Sequence, residues 1–148
     1  MYSTKPKALI LDMDGTLCDV SSVRHYVTGE SKNFDAFHRA SLFCPPNDWV
    51  KQIAVNIKGA QRIIVTGRMN RYRPTTSNWL AKHEVPFERL IMRPEGDQRP
   101  DYEVKEEILL DKILPYYDVI LAVDDNPAVI QVWQEHDIPV VIVPGWDS

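Results

Sequence analysis

Two carboxylates, Asp12 and Asp14, stand two positions apart in the run Asp12-Met13-Asp14-Gly15-Thr16. On an extended backbone they point the same way, as carboxylates sharing a cation would. Gly15 permits a tight turn with exposed backbone N–H groups, a natural anion cradle, which makes Gly15 and Thr16 candidate substrate contacts. The run is not an EF-hand loop, because glycine falls at its fourth position and no glutamate follows at the twelfth. A surface Asp-Gly turn would read alike, but here the four apolar residues Ala8-Leu9-Ile10-Leu11 feed straight into the motif.

Two further strand-like runs end in reactive groups. Val65-Thr66-Gly67-Arg68 offers a hydroxyl, a glycine and a guanidinium, which suit phosphate oxygens, although an ordinary strand-to-helix turn can look the same. Val123-Asp124-Asp125-Asn126-Pro127 sets two carboxylates side by side. They repel one another unless a cation sits near them, whereas a helix cap needs only one. Lys105 follows an acidic, loop-like stretch; on an exposed helix it would simply be solvated, and its interest lies in the company of the other three motifs.

The elements that must carry these groups alternate. Apolar β-type runs lie at residues 8–11, 63–65, 90–92, 119–123 and 140–143, and their near-continuous apolarity fits strands covered on both faces. Between them, helical spacing links Trp49, Val50, Ile53, Ala54 and Ile57, and later Val104, Ile108, Leu109 and Ile113. Pro74 starts a helix through Trp79, Leu80 and His83, and Asn126-Pro127 starts one over Val129, Ile130 and Trp133. The expected fold class is α/β: a Rossmann-like, five-stranded, mainly parallel sheet flanked by helices, forming a single domain over residues 1–148. Residues 17–46 break the alternation with one helix around Phe34, Phe37, Ala40 and Leu42, a small helical cap insertion after the first strand. It would either roof a site at the strands' carboxyl ends or serve as a packing appendage.

Composition is ordinary for a globular chain, with 44% hydrophobic and 26% charged residues, so disordered, collagen-like, coiled-coil and disulfide-scaffold classes are excluded. The net charge of −4 argues against binding polyanions through bulk charge alone. The average hides a gradient, however. Residues 58–99 carry 9 basic and 4 acidic side chains, and residues 100–148 carry 2 and 11. The basic middle and acidic end either fold against each other or divide a site between cations for an anionic substrate and carboxylates for a metal. Cys18 and Cys44 form no disulfide framework, and residues 1–7 lead into too short an apolar run for a signal peptide. No apolar run approaches the ~20 residues of a membrane span. A soluble, cytoplasmic protein without membrane contact is expected.

Taken together and in this order, the motifs of strand one, Thr66, Lys105 and Asp124-Asp125 resemble the haloacid dehalogenase-like (HAD) superfamily of phosphotransferases. Closer still is the similarity to the 3′-phosphatase domain of bacteriophage polynucleotide kinase/phosphatase. It extends to Thr66-Gly67-Arg68, Tyr72-Arg73, Glu95-Gly96-Asp97 after Arg93, Val104-Lys105-Glu106-Glu107-Ile108, Tyr117-Asp118-Val119, Asp124-Asp125 and Trp133.

The resemblance implies a HAD fold and a Mg²⁺-dependent phosphomonoesterase working through an aspartyl-phosphate. Asp12 would be the nucleophile and Asp14 the acid and then base, which requires that their environments differ. Mg²⁺ would be held by Asp12, the backbone carbonyl of Asp14 and the acidic pair, with Asp125 as direct ligand and Asp124 behind it. Thr66 and Lys105 would bind the transferring phosphoryl. Arg68 would meet the phosphate, with Gly67, Arg93 and Asp101 beside it and Arg24 as the insertion's arginine. Having both Asp14 and the acidic pair favours phosphate esters over haloacids or phosphonates.

The implied substrate is a nucleic-acid 3′ end or a nucleotide, in a phage-like repair role. Arg71, Arg73, Arg93 and Arg99 are candidates to follow a phosphodiester backbone, and Tyr72 and Phe37 to stack on bases. No Gly-x-x-x-x-Gly-Lys-Ser/Thr run occurs in these residues, so a phosphatase without the kinase half is expected. The alternatives are a phosphatase of nucleoside 5′-monophosphates or another small ester, and a module that binds a phosphorylated ligand without turnover. A homodimer is also open.

Overall fold

A computed structural model of the protein describes residues 4–29 and 31–145. Residues 1–3, part of the N-terminal stretch read above against a signal peptide, lie outside the described residues, as do residue 30 of the insertion and residues 146–148.

Five strands form one sheet: β1 (Lys7–Leu11), β2 (Ala60–Met69), β3 (Arg89–Arg93), β4 (Asp118–Asp124) and β5 (Val140–Ile142). Their order is β3-β2-β1-β4-β5, and all four pairings are parallel, so the sheet is wholly rather than mainly so. β1 sits in the middle, and Ala8, Leu9, Ile10 and Leu11 are all buried. Its side chains alternate between two cores, with Leu9 and Leu11 on one face and Ala8 and Ile10 on the other.

Among the described residues, five α-helices cover both faces: α1 (Phe34–Ser41), α2 (Asp48–Asn56), α3 (Arg73–Lys82), α4 (Asp101–Ile108) and α5 (Pro127–Glu135). Val50 and Ala54 of α2 and Trp79 and Leu80 of α3 join the first core. Val104 and Ile108 of α4 and Val129, Val132 and Trp133 of α5 join the second. The expected helix through Ile113 divides into α4 and a π turn over Leu109–Ile113. Trp49, which the helical spacing put on the buried face of α2, is 47% exposed. It lies about 100° around the helix from Val50, and the face made by Val50, Ile53, Ala54 and Ile57 is the one that meets the sheet.

The chain runs outward from β1 to β2 and β3, then returns through α4 to β4 on the other side of β1. The carboxyl ends of β1 and β4 therefore flank the point where strand order reverses, the place in an open α/β sheet where a crevice forms. No helix among the described residues is long and apolar enough to cross a membrane.

The described part of residues 17–46 faces two ways. Leu17, Cys18, Val20, Val23, Phe37 and Cys44 are buried in the first core, so the segment packs as an integral part of the fold. Its other side forms a wall of the cavity described below. Asn33 caps α1 by accepting from the Ala36 N–H at 3.0 Å. The base of the insertion is tied to α3 where the Trp79 Nε1–H donates to the carbonyl of Cys44 at 2.9 Å. Trp79→Phe leaves that buried carbonyl without its donor and is expected to cost about 1–3 kcal/mol. The difference in urea midpoints between the two proteins measures it.

Candidate active site

Three of the reactive motifs sit toward the carboxyl ends of strands, and the reversal at β1 and β4 brings them together with Lys105 of α4. Asp12 follows β1 directly, Asp124 ends β4, and Lys105 enters from the second turn of α4. All three are buried. The Lys105 Nζ donates to Asp12 Oδ1 at 2.7 Å and to Asp124 Oδ2 at 3.3 Å. Burial alone would lower the lysine's pKa, but Asp12, Asp124 and Asp101 raise it above the usual lysine value, so the ammonium is retained.

Asp124 is fully engaged. Oδ1 accepts from the N–H groups of Asp125 and Asn126, at 2.8 and 3.1 Å, and Oδ2 accepts from Lys105 and, at 3.2 Å, from the Trp133 Nε1–H. Asp125 projects beside it, 3.3 Å from the Thr16 hydroxyl and 3.8 Å from the Arg24 guanidinium. Thr16 also donates to Asp12 Oδ2 at 2.8 Å. Oxygens of Asp12, Asp124 and Asp125 lie within 4.8 Å of one another, all three residues buried. Three carboxylates against the Lys105 ammonium and the half-exposed Arg24 guanidinium leave this cluster short of positive charge. Burial, with Asp124 and Asp125 adding to it and Lys105 opposing, pushes the Asp12 carboxyl well above its ordinary value. These residues fit a divalent cation.

Asp14 lies in a different setting. It is half-buried, and Arg68 grips it with two parallel bonds, Nε to Oδ2 at 2.9 Å and a terminal nitrogen to Oδ1 at 2.5 Å. Burial pushes its carboxyl up, but the guanidinium outweighs that and holds it below the ordinary value. Arg68 is itself oriented by the hydroxyls of Thr76, at 3.0 Å, and Ser41 of the insertion, at 3.2 Å. Two carboxylates two residues apart thus have pKa values driven in opposite directions.

The turn after Asp14 is not the open anion cradle expected of it. The N–H of Gly15 donates to the Cys18 carbonyl at 2.8 Å and that of Thr16 to the Met13 carbonyl at 3.3 Å, because the chain folds straight back on itself. Gly15 has a different reason to be glycine. Its φ is +81°, and a Cβ there would lie 2.0 Å from Asp125 Oδ2. Gly67 likewise clears space for an acid, since a Cβ would lie 2.3 Å from Asp101 Oδ1. Gly67 and Arg68 fall in an irregularity of the β2–β3 pairing between Thr66 and Met69, which carries β2 further than the apolar run indicated.

Thr66 is fully buried on the cavity wall, and its hydroxyl accepts from the Arg68 N–H at 3.2 Å. Arg24, half-exposed, reaches the cluster from the insertion. Arg93 borders the cavity but is committed to the loop before α4. It donates to the carbonyls of Gly67 (2.7 Å), Asp97 (3.1 Å) and Arg99 (2.5 Å) and to the Asp101 carboxylate. Arg71 is paired with Glu95, and Arg99 with Asp97 and Glu107. Phe37, a candidate for base stacking, is buried in the core at the edge of the cavity; Tyr72 is half-buried, its hydroxyl donating to Asp35.

The cavity over these groups measures about 1160 Å³, with Arg24, Lys32, Phe34 and His38 among the insertion residues that line it. His38 is 6% exposed, its ring centroid 4.0 Å from that of Tyr72. Burial and the nearby Arg68 push it down to about 4, against the pull of Asp14 and Asp35, so it is neutral near pH 7. Sequence reasoning missed His38, Ser41 and Thr76. Their only signal was polarity on the buried side of a helix, and the Arg68 that Ser41 and Thr76 bond lies on another element.

The family model for the polynucleotide kinase PNKP phosphatase domain, of HAD type, matches residues 6–145. A protein of Autographa californica nuclear polyhedrosis virus, described as a bifunctional polynucleotide kinase/RNA ligase, is 30% identical over 92% of this chain and 19% of its own length. Two structures of a Pnkp1/Rnl/Hen1 complex, one described as an RNA repair complex, share 29% identity over 99% of this chain, with TM-scores of 0.85 and 0.86. The chain covers 49% and 45% of theirs, so it spans at most half the length of these relatives. A hydrolase from Streptococcus pneumoniae TIGR4, 16% identical with a TM-score of 0.58 over 94% of this chain and 93% of that one, shares the fold. This chain belongs to the PNKP phosphatase-domain family and has the HAD fold.

The Asp14–Arg68 pair makes a testable contribution to stability. Arg68→Ala leaves a buried pair broken and is expected to cost about 3–5 kcal/mol at pH 7. Asp14's folded pKa is lowered, so its share is present above the unfolded value and is lost as pH falls through the folded one. Urea unfolding at pH 7 and pH 3 should therefore show the gap between wild type and variant narrowing in acid.

Proposed function

We propose that this member of the family removes 3′-phosphates from nucleic-acid ends as a Mg²⁺-dependent phosphomonoesterase, through an aspartyl-phosphate on Asp12. The observation that carries the reading is the contrast between the two carboxylates after β1, one beside Lys105 in a cluster short of cations, the other clamped by Arg68. Acid–base and nucleophilic roles divide between groups whose surroundings differ in this way.

Asp12 is the nucleophile. Its Oδ1 is held by Lys105 and its Oδ2 by Thr16, which orient the carboxylate. The Lys105 ammonium offsets the repulsion between Asp12 and an arriving phosphate, and the Thr66 hydroxyl binds a phosphoryl oxygen. Arg68 is the phosphate's other ligand, and in the resting protein it is bound to Asp14. A phosphate drawing Arg68 toward itself loosens that clamp and lets the Asp14 pKa rise, so that Asp14 can hold a proton for the leaving 3′-oxygen. It then takes a proton from the water that hydrolyses the acyl-phosphate. Asp12, Asp125 and the backbone carbonyl of Asp14 would hold Mg²⁺, with Asp124 behind them because its oxygens are already engaged. When bound, the ion supplies charge to the cluster and polarises the phosphoryl group.

A nucleic-acid end is favoured over a small ester by the cavity, which exceeds the roughly 300–1,000 Å³ usual for small-molecule sites. The relatives support an RNA repair setting with partners of the Rnl and Hen1 kind. They lend no support to the homodimer left open by the sequence. A reducing, cytoplasmic location belongs to the same reading, in keeping with Cys18 and Cys44 as free buried thiols.

Phosphate release from matched 3′- and 5′-phosphorylated oligonucleotides, with the mononucleotides alongside, tests the function. Release from 3′ ends that needs Mg²⁺ and vanishes in Asp12→Asn is the expected result. Preference for free 5′-nucleotides would overturn the nucleic-acid reading, and no release from any substrate the enzymatic one.

A second measurement addresses the cation without activity. Mg²⁺ at a hundred times its dissociation constant should stabilise the protein by about 2.7 kcal/mol, raising Tm by several degrees. Asp125→Asn should melt higher than wild type in EDTA and respond little to Mg²⁺. A wild-type Tm that ignores millimolar Mg²⁺ would count against the site.

A further inference from the structure

The basic middle of the chain is only partly accounted for by ion pairs. Arg62 pairs with Glu88, Arg71 with Glu95, Arg93 with Asp97 and Asp101, and Arg99 with Asp97 and Glu107. Arg73 and Arg89 are different, and so is Lys112 from the π turn. Among the described residues none of the three has a carboxylate within ion-pair distance. Arg73 donates to the Asn70 side chain and the Leu90 carbonyl, and Arg89 donates to the Lys112 carbonyl while lying over the Tyr117 ring.

These three cations border one groove of about 350 Å³, which runs along β3, one of the two outer strands of the sheet. The carboxylate on its wall, Glu95, is already held by Arg71 at 2.5 Å. Arg93 lines both this groove and the active-site cavity, so the two adjoin at the carboxyl end of β3. Positive charge left unpaired beside a site for a terminal phosphate suits a chain of further phosphates.

We infer that the β3 groove is a second binding surface, for the phosphodiester backbone of the single strand whose terminal phosphate enters the cavity. The inference rests on the nucleic-acid-end reading above and extends it. Arg73, Arg89 and Lys112 contact backbone phosphates upstream of the end, so affinity grows with strand length and falls with salt. Sequence preference does not arise there, because phosphate contacts position a strand without reading its bases.

The test is the binding of a fluorescent single-stranded decamer with a 3′-hydroxyl, which is not a substrate, followed by anisotropy across a salt series. The variants are Arg89→Ala with Lys112→Ala, and Lys112→Glu alone; the second alters only an exposed side chain and so guards against a folding defect. The double variant should bind roughly tenfold more weakly, with a salt slope flatter by about 0.7 per lost phosphate contact. Its ratio of kcat/KM on a 3′-phosphorylated decamer to that on a nucleoside 3′-phosphate should fall by a similar factor. Wild-type affinity and slope in both variants would overturn the inference, which is also the outcome expected if β3 receives an extended peptide instead. The two readings fail separately. Weakened decamer binding with no phosphatase activity in any protein would remove the enzymatic proposal and leave the groove standing. Rapid 3′ release that ignores strand length, with unchanged variants, would do the reverse.

Discussion

One buried ammonium holds the site together. The Lys105 Nζ sits between Asp12 and Asp124, residues 93 and 19 positions away along the chain. Removing three carboxylates and a lysine from water carries a large desolvation cost, which the protein offsets only by giving nearly every oxygen a donor. Thr16 serves Asp12, Trp133 and two backbone N–H groups serve Asp124, and Gly15 stands aside for Asp125. The remaining deficit of positive charge is what makes the cluster fit a divalent cation.

That constraint explains the fold's economy. β1 and β4 must lie side by side for Asp12 and Asp124 to share a lysine, and α4 must cross from β3 to β4 to deliver it. The strand-order reversal does both, and it opens the crevice in which the carboxyl ends gather. The insertion is bound into the same system. Ser41 at the end of α1 steadies Arg68, Arg68 holds Asp14, and Arg24 approaches Asp125. A segment that interrupts the α/β alternation is thereby fastened to the chemistry as well as to the hydrophobic core.

Much of this was legible in the residues. Apolar runs buried on both faces identified the strands within a residue or two, with β2 the exception. Its apolar run stopped at Val65 while pairing continues through an irregularity to Met69, since backbone hydrogen bonding does not require apolar side chains. Charge was harder to read. Arg93, Arg71 and Arg99 looked like surface cations available to a substrate, yet each is paired with a carboxylate that only folding brings near.

The sequence by itself determined which groups stand at strand ends, because strand position follows from local apolarity and the motifs abut it directly. It also carried the resemblance to the family, since Asp12, Thr66, Lys105 and Asp124 match that family's motifs in order along the chain. Tertiary structure alone decided how those groups differ from one another. Asp12 and Asp14 are the same residue type two positions apart, and their opposite electrostatic fates come from Lys105 and Arg68, which arrive from α4 and β2. Gly15 and Gly67 make the same point, each being required by a distant carboxylate that packs where a side chain would be. Electrostatics and close packing depend on distances through space, and no local pattern in the chain encodes them.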